Sequence, residues 1–245
     1  MSNKSPADLP LNSPDPSRIQ AMFAQVAPKY DSANTVLSLG LHHMWRSKLV
    51  KLSDVKKGDS VLDCATGTGD LAIEFKKAVG PEGKVIGTDF CAEMLESAPR
   101  KAASKNLDIK FELADVTKLQ FDDATFDAVS ISFGIRNVQD RVKGISEMAR
   151  VAKPGGRVMI LEFGQMSVPV IKQAYNFYSE KVLPVIGGIV TGKPDAYEYL
   201  QKSSAAFPCG AEFINMMDST EKFSKLEFVP VFGGIAYIYK GVVKG

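Results

Sequence analysis

The sequence predicts an α/β protein with a doubly wound, mostly parallel sheet that ends in an antiparallel hairpin. Strands and helices alternate from Gly58 to Phe163, which is typical of parallel sheets covered by helices. A glycine-rich turn joins the first strand to its helix. Two final strands flank the tight turn Phe232–Gly234, which indicates a hairpin. With 245 residues, 45% of them hydrophobic, the chain suits one domain with a sizeable core.

The N-terminal region predicts a tail followed by helices. Residues 1–17 contain four prolines among small polar residues, which is typical of a flexible tail, so we expect one domain over 18–245. Apolar residues then recur at helical spacing up to Pro28, which ends the first helix. A second helical region, Ser32–Leu52, is broken near Gly40. Residues 18–55 therefore form a helical lid over a ligand or pack against the core.

The alternating segment predicts five strands and three helices. The strands are Ser60–Ala65, Lys84–Thr88, Asp108–Leu113, Phe126–Phe133 and Arg157–Phe163. The helices are 69–79, 92–104 and 139–152. Turns at Pro81–Gly83 and Lys153–Gly156 feed the second and fifth strands.

After Phe163 the pattern changes to a helical insertion over 164–222. It predicts helices at Val168–Val182, Ala196–Ser203 and Ala211–Ser219, with an apolar loop at Pro184–Gly188. The closing strands are predicted at Phe223–Val231 and Ile235–Lys240.

Composition excludes some functions. Thirty basic and 28 acidic residues give a net charge of +2, which argues against a dedicated nucleic-acid binder. Cys64, Cys91 and Cys209 lie far apart, as expected for reduced thiols in the cytoplasm, and we expect no metal site. The N-terminus has no apolar signal core, so export is not predicted. The chain has no run of about 20 apolar residues, so no membrane span is predicted either.

The glycine turn predicts a nucleoside-containing cofactor. Gly67 and Gly69 follow the first strand, and Asp89 lies 20 residues beyond Gly69, a spacing that also fits a dinucleotide site. Asp63 favours S-adenosylmethionine, because it can order the turn or hold a cationic amino-acid end, whereas a dinucleotide presents an anionic pyrophosphate. Asp115, after the third strand, can accept a hydrogen bond from an adenine amino group.

These features predict the seven-stranded Rossmann-like fold of class I S-adenosylmethionine-dependent methyltransferases. The glycines could instead be simple turn residues and the acids helix caps. Asp89 is assigned to ribose, Asp115 and Val116 to adenine, and Thr68 to the amino-acid and ribose region. The candidate cofactor-binding residues are Asp63, Gly67, Thr68, Gly69, Asp89, Asp115, Val116 and Ser132.

Seven further segments carry a family resemblance over roughly residues 20–241. They are Val26–Asp31, Leu39–Arg46, Ile131–Val138, Leu161–Phe163, Tyr197–Leu200, Phe207–Pro208 and Met216–Met217. Together they resemble the ubiquinone/menaquinone biosynthesis C-methyltransferase family, most specifically at Phe133–Val138. The chain departs from that pattern at Ala33, at His42–His43, at Gly164–Met166 and at Lys225–Phe228.

The resemblance implies methylation of a ring carbon of a polyprenylated quinol. The acceptor would be demethylmenaquinol, 2-methoxy-6-polyprenyl-1,4-benzoquinol, or both. We expect a cytoplasmic protein, peripheral at the inner face of a bacterial inner membrane. Contacts with other quinone-biosynthesis enzymes and a homodimer are compatible with this expectation.

Three residues are the candidate catalytic groups. Arg136 follows the fourth strand and would stabilise a phenolate or polarise a water, since arginine stays protonated. Asn137 would orient a quinol oxygen, and Tyr30 would orient the ring or carry a proton. Alternatively, Arg136 pairs with an acid and Asn137 caps a turn. His42 and His43 are further proton-handling candidates, though isolated histidines more often pack or lie at the surface.

An apolar group in the insertion would line a channel for the isoprenoid tail, dock on a bilayer, or form buried core. Its members are Tyr175, Phe177, Tyr178, Leu183, Val185, Ile186 and Ile189.

Two other functional classes stay open at this point. One is a methyltransferase with another lipophilic acceptor. The other is a nicotinamide-dependent oxidoreductase, which would need a hydride-transfer motif such as Tyr-x-x-x-Lys in a convincing context. Loss of the acidic cofactor residues would have indicated a non-catalytic scaffold, but those residues are present.

Overall fold

The N-terminal part of the computed structural model is helical. The structure describes residues 14–166, 173 and 178–245. Helix α1 is Pro16–Val26, α2 is Tyr30–Leu37 and α3 is Leu41–Leu52, with a 3-10 turn at Ala27–Lys29. Helix α1 includes the last two residues of the predicted tail, because the Asp15 carboxylate caps it by accepting from two backbone N–H groups. The first thirteen residues lie outside the described part.

The seven strands form one sheet, as the sequence predicts. They are β1 (Ser60–Cys64), β2 (Lys84–Asp89), β3 (Lys110–Leu113), β4 (Phe126–Ser132), β5 (Ala152–Phe163), β6 (Phe223–Val231) and β7 (Ala236–Val243). Their order is β3-β2-β1-β4-β5-β7-β6. Strands β1 to β5 are parallel, and β7 lies antiparallel between β5 and β6.

Both faces of the central strands are buried, which explains their nearly continuous apolar sequence. Successive residues of β1 point to opposite faces. Val61 joins one core cluster with Trp45 and Phe75, and Leu62 joins another with Phe213. The two clusters hold the N-terminal and C-terminal helices against the same sheet, which fixes where their side chains meet the strand ends.

Four helices cover the parallel half of the sheet. They are α4 (Asp70–Val79), α5 (Ala92–Leu95), α6 (Ala98–Ala103) and α7 (Arg141–Val151). The single helix predicted over 92–104 is wrong, because it is two short helices. Pro99 lies in the first turn of α6, and its ring cannot fit against the carbonyl of Leu95 in a continuous helix.

The insertion after β5 is mostly helical in its described part. A π-helical turn, Tyr178–Val182, leads into α8 (Leu183–Thr191), α9 (Pro194–Ala206) and α10 (Ala211–Asp218). The apolar loop predicted at Pro184–Gly188 is therefore wrong. Gly187 is a packing glycine, since a Cβ there would lie 2.4 Å from Cγ of Tyr197. Most of the helix predicted at Val168–Val182 falls outside the described residues.

Candidate active site

The glycine turn lies where the strand order of the sheet reverses, between β1 and β4. In open α/β sheets ligands bind in this crevice, at the carboxyl ends of the strands. Gly67 and Gly69 have φ values of 58° and 84°, a left-handed conformation that favours glycine. A Cβ on Gly69 would also lie 3.0 Å from the Phe111 ring. The turn thus brings backbone, without side chains, to the ligand crevice.

Asp89, at the end of β2, is joined to this turn. Its Oδ2 accepts a hydrogen bond from Gly67 N at 2.8 Å, and its Oδ1 accepts one from Cys91 N at 2.9 Å. The side chain is buried, and burial raises its pKa to about 6. A carboxylate fixed in this way has further lone pairs that can accept hydrogen bonds from ribose hydroxyls.

Asp63, at the end of β1, holds the turn in place. Its two oxygens accept hydrogen bonds from Thr66 Oγ1 and Ser130 Oγ, both at 2.7 Å. Only 1% of Asp63 is exposed, and burial raises its pKa to about 6. This geometry favours the ordering role that the sequence suggested over direct contact with a ligand.

Thr68 lies in a charged cluster that sequence reasoning missed. Its hydroxyl donates to Asp31 Oδ1 at 2.6 Å and lies 2.9 Å from Lys101 Nζ. Lys101 also pairs with Asp31 and with Asp70, and Arg46 pairs with Asp70 at 3.0 Å. The charged cluster of Asp31, Arg46, Asp70 and Lys101 therefore ties α2 and α3 to the glycine turn.

A cavity of about 220 Å³ lies in the crevice, beyond the ends of β1, β3 and β4. Asp115 and Val116, the predicted adenine contacts, line it. Asp115 Oδ1 accepts from Thr117 N and Oγ1, at 2.8 and 2.9 Å. The other lining residues include apolar ones, such as Ala65, Phe90 and Val138, and polar ones, such as Thr117, Gln139, Asp140 and Lys143. Ser132 lines neither this cavity nor the next one formed by the described residues, and its buried hydroxyl has no hydrogen-bond partner among them.

A second cavity, of about 320 Å³, lies between the N-terminal helices, the strand ends and the insertion. Its wall is largely apolar and aromatic, which suits a ring with a hydrocarbon tail. The apolar and aromatic lining includes Met22, Phe23, Leu37, Leu39, Trp45, Phe133, Phe163, Tyr197 and Leu200. The polar side chains that line it include Tyr30, His42, Arg46 and Arg136.

Arg136 fits both interpretations that the sequence left open. Its Nη1 donates to Glu162 Oε1 and to the Phe133 carbonyl, both at 2.7 Å. The guanidinium carbon lies 5.3 Å from the centroid of the Phe163 ring. Although it pairs with an acid, the side chain still lines the larger cavity, and its buried Nε has no hydrogen-bond partner among the described residues.

Asn137 lines the smaller cavity, whereas its neighbour Arg136 lines the larger one. The Asn137 N–H donates to the Gly134 carbonyl, so the residue does close a turn. Its Oδ1 accepts from the Tyr199 hydroxyl at 3.1 Å, and its buried Nδ2 has no partner in the described part of the chain. Tyr199, from α9, lines the larger cavity and so connects the two.

Tyr30 and the two histidines differ in their surroundings. Burial raises the pKa of the Tyr30 phenol, and the charges of Arg46 and Arg136 oppose that shift. Buried His42 has Nδ1 2.5 Å from Ser38 Oγ, and burial lowers its pKa to about 4, so it is neutral near pH 7. His43 is exposed.

Ligand atoms of His42, His43 and Asp70 lie within 4.8 Å of one another, which is close enough to hold a metal ion. However, one Asp70 oxygen already pairs with Arg46 and the other with Lys101. Burial alone would raise the pKa of Asp70, but these two cations hold it below its usual value. The same cations would repel a metal ion, so we assign none here.

Comparison with known proteins places this chain in a family. The model of the ubiE/COQ5 methyltransferase family matches residues 12–243. A ubiquinone/menaquinone biosynthesis C-methyltransferase UbiE from Bdellovibrio bacteriovorus is 64% identical, over 95% of this chain and 99% of the relative. A UbiE from Geobacter sp. is 43% identical, over 91% and 95%.

Solved structures agree on the fold. The crystal structure of an S-adenosylmethionine-dependent methyltransferase from Thermotoga maritima has a TM-score of 0.64 with this chain. It is 18% identical, and the match covers 91% of this chain and 99% of that one. The chain therefore belongs to the ubiE/COQ5 methyltransferase family and is an S-adenosylmethionine-dependent methyltransferase.

Proposed function

We propose that this enzyme methylates a ring carbon of a polyprenylated quinol in respiratory quinone biosynthesis. The acceptor is demethylmenaquinol, 2-methoxy-6-polyprenyl-1,4-benzoquinol, or both. The observation that carries this proposal is Arg136, a buried cation in the wall of a large apolar and aromatic cavity. The names of the 64% and 43% identical relatives support the same acceptor class.

The cofactor would lie across the crevice at the glycine turn. Gly67 and Gly69 would let the cofactor approach the backbone closely. Asp89 would accept hydrogen bonds from the ribose hydroxyls, and Asp115 and Val116 would flank the adenine. The buried Ser132 hydroxyl, without a partner among the described residues, is a further candidate contact. When bound, S-adenosylmethionine supplies an electrophilic methyl group on a positively charged sulfur and leaves as S-adenosylhomocysteine.

The residues of the larger cavity would activate the acceptor. A quinol carbon becomes nucleophilic when a ring hydroxyl loses its proton, because negative charge then spreads onto that carbon. The Arg136 cation, in the wall of a largely apolar cavity, stabilises that charge. Since arginine stays protonated, it acts by charge or through a polarised water and not by taking the proton itself.

Tyr30 and Asn137 would assist in different ways. Tyr30 lines the same cavity as Arg136, and its raised pKa keeps the phenol protonated, so it donates a hydrogen bond to the ring oxygen. Asn137 lines the smaller cavity and not the one proposed for the quinol, so it would act indirectly, by orienting the Tyr199 hydroxyl that donates to its Oδ1. His42, neutral and bonded to Ser38, is the weaker candidate for moving a proton.

The isoprenoid tail would leave the larger cavity beside α2 and the insertion. Among the described residues, no helix is both long and apolar enough to cross a bilayer. Val185 and Ile189, on α8, are 59% and 79% exposed and could dock at the cytoplasmic face of the inner membrane. Tyr175 and Phe177 lie outside the described residues. Docking, contact with other quinone-biosynthesis enzymes and a homodimer stay predictions.

A comparison of reduced and oxidised acceptors tests the proposed function. The purified enzyme is incubated with S-adenosylmethionine and a short-chain demethylmenaquinone, either reduced or oxidised, and with the matching benzoquinone pair. We expect methylation only of the reduced forms, because only a quinol can form the phenolate. Equal methylation of the oxidised forms would contradict the mechanism. No methylation of any of them would favour another lipophilic acceptor.

A further inference from the structure

Glu162 is a fully buried acid in the penultimate position of β5, between apolar residues. Its side chain is 0% exposed. Its Oε1 accepts from Arg136 Nη1 at 2.7 Å and from Phe163 N at 2.9 Å, and its Oε2 accepts from Arg136 N at 3.2 Å. One carboxylate therefore holds both the guanidinium and the backbone of the same arginine.

The position of this carboxylate is fixed by the sheet. Strand β5 pairs with β4 on one side and with β7 on the other, where Glu162 faces Tyr237. Because neighbours on both sides hold the strand, the Glu162 backbone cannot shift without distorting the sheet, and its hydrogen bonds fix the carboxylate. A buried charge is stable only when it is paired, and the partner here is Arg136.

The guanidinium is thus held from three directions. Glu162 and the Phe133 carbonyl bind Nη1, and the Phe163 ring lies against the guanidinium face. The Nε–H group donates to no acceptor among the described residues, and the side chain lines the larger cavity. Hydrogen-bond donors that are held in place before reaction stabilise developing charge without reorganisation during it.

We propose that Glu162 is a positioning residue for methyl transfer. It holds the Arg136 guanidinium at the cavity wall and so fixes where the quinol phenolate is stabilised. This inference rests on the proposed function, because it gives Glu162 a role only through Arg136. Glu162 itself does not line either cavity formed by the described residues.

The first test is Glu162→Gln, which keeps the side-chain shape and removes the charge. One acceptor oxygen becomes an amide donor facing the N–H groups of Arg136, so the guanidinium loses its fixed position. We expect kcat with the reduced quinol to fall about a hundredfold, as for loss of a preorganised charge-stabilising donor. Cofactor affinity, measured by calorimetry, should change less than about threefold, since the turn is not touched.

Glu147→Gln is the matched control. Glu147 accepts from Arg150 Nε and Nη2, and from Leu119 N, so it too holds an arginine and a backbone N–H. It lines neither cavity of the described part of the chain. Its variant should lose some thermal stability and keep kcat. An equal loss of kcat in both variants would show a general structural effect and overturn the proposal.

A double-mutant cycle separates positioning from an independent effect. If Glu162 acts only through Arg136, kcat of Arg136→Met and of the double variant Glu162→Gln/Arg136→Met should agree within about twofold. A further large loss in the double variant would overturn the proposal, as would wild-type kcat in Glu162→Gln. If Arg136→Met itself keeps full activity, the role of Arg136 in the proposed function fails instead.

A conservative variant covers the case in which Glu162→Gln does not fold. Glu162→Asp keeps the charge but withdraws the carboxylate by one methylene. We expect a folded protein with unchanged cofactor affinity and a kcat about tenfold lower, because the guanidinium is less well held. Full activity of Glu162→Asp would overturn the proposal.

Discussion

At the scale of single residues, the two acids beside the glycine turn have unusual pKa values. Burial raises the pKa of Asp63 and of Asp89 to about 6, well above the usual value of an aspartate. Between about pH 4 and pH 6 the folded, ligand-free protein holds protons that the unfolded chain has already lost. The stabilisation from these two groups is therefore fully present below about pH 4 and is lost as the pH rises through about 6.

The affinity for the cofactor should increase as the pH rises, whereas the stabilisation of the fold by these two groups decreases. Asp89 must be ionised to accept hydrogen bonds from the ribose hydroxyls, so cofactor binding below pH 6 requires the Asp89 carboxyl group to release a proton. We expect nearly constant affinity for S-adenosylmethionine above pH 7, and up to about a tenfold loss per pH unit between pH 6 and pH 5 for each carboxylate involved. Calorimetry across this range measures it.

Asp89→Asn provides the comparison for this pH dependence. The variant should bind the cofactor more weakly at pH 7, and its affinity should change less between pH 7 and pH 5. Wild-type affinity that stays constant down to pH 5 would contradict the assignment of Asp89 to ribose.

Some site residues could be predicted from the sequence, and others could not. Asp89 and Asp115 follow strands at positions where the fold presents ligand contacts, so their neighbourhood was predictable. Arg46 and Lys101 pair with residues that are distant in the sequence, and the spacing of motifs along the chain does not reveal such contacts. One sequence feature could have indicated the role of Glu162: a charged residue inside an apolar strand must have a buried partner.

At the scale of elements, the charged cluster joins the N-terminal helices to the cofactor turn. Lys101 Nζ lies 2.5 Å from Asp31 on α2, 2.8 Å from Asp70 on α4 and 2.9 Å from the Thr68 hydroxyl. Tyr30 precedes Asp31, so the same contacts hold a candidate catalytic residue. We expect the cluster to set how firmly α2 closes over the larger cavity.

Lys101→Met should loosen α2. The change leaves the carboxylates of Asp31 and Asp70 facing each other without the cation between them. A loss of about 1 kcal/mol of local stability would raise amide hydrogen exchange in residues 30–37 roughly fivefold. We also expect a several-fold higher KM for the quinol. Lys225→Met is the control, since Lys225 pairs with Glu227 on β6; equal exchange in both variants would contradict the role of the cluster.

The helix α8 shows why one element was mispredicted. Pro184 and the pair Gly187–Gly188 favour a loop by local preference. In the structure the proline lies in the first turn of the helix, where its missing N–H is not needed. Gly187 allows the Tyr197 ring to pack at a distance that no side chain would permit. Tertiary packing, which a local pattern does not contain, decided the conformation.

At the scale of the whole molecule, apolar side chains are exposed on α8 and at the turn before α3. Val185 and Ile189 are exposed on α8, and Leu39, which is 85% exposed, also lines the larger cavity. Helices α2 and α8 are in contact. An apolar surface beside the cavity would let a membrane-held quinol enter without leaving the bilayer completely.

Liposome flotation tests this docking. Wild-type protein should float with vesicles of bacterial lipids, and the double variant Val185→Asp/Ile189→Asp should float several-fold less, because two charges oppose insertion of α8. The structure favours Ile189 over Ile186 for this variant, since Ile186 packs against a buried cluster. Leu113→Asp on the edge strand β3 is the control. Equal flotation of wild type and double variant would exclude docking through α8.

The most direct test of the central claim is the position of the transferred methyl group. The enzyme is incubated with S-adenosylmethionine labelled with carbon-13 in the methyl group and with a reduced demethylmenaquinone, and the product is analysed by mass spectrometry and carbon NMR. The proposed mechanism predicts one labelled methyl group bonded to a ring carbon, and loss of that product in Arg136→Met. A label on a ring oxygen, or undiminished product in Arg136→Met, would contradict it.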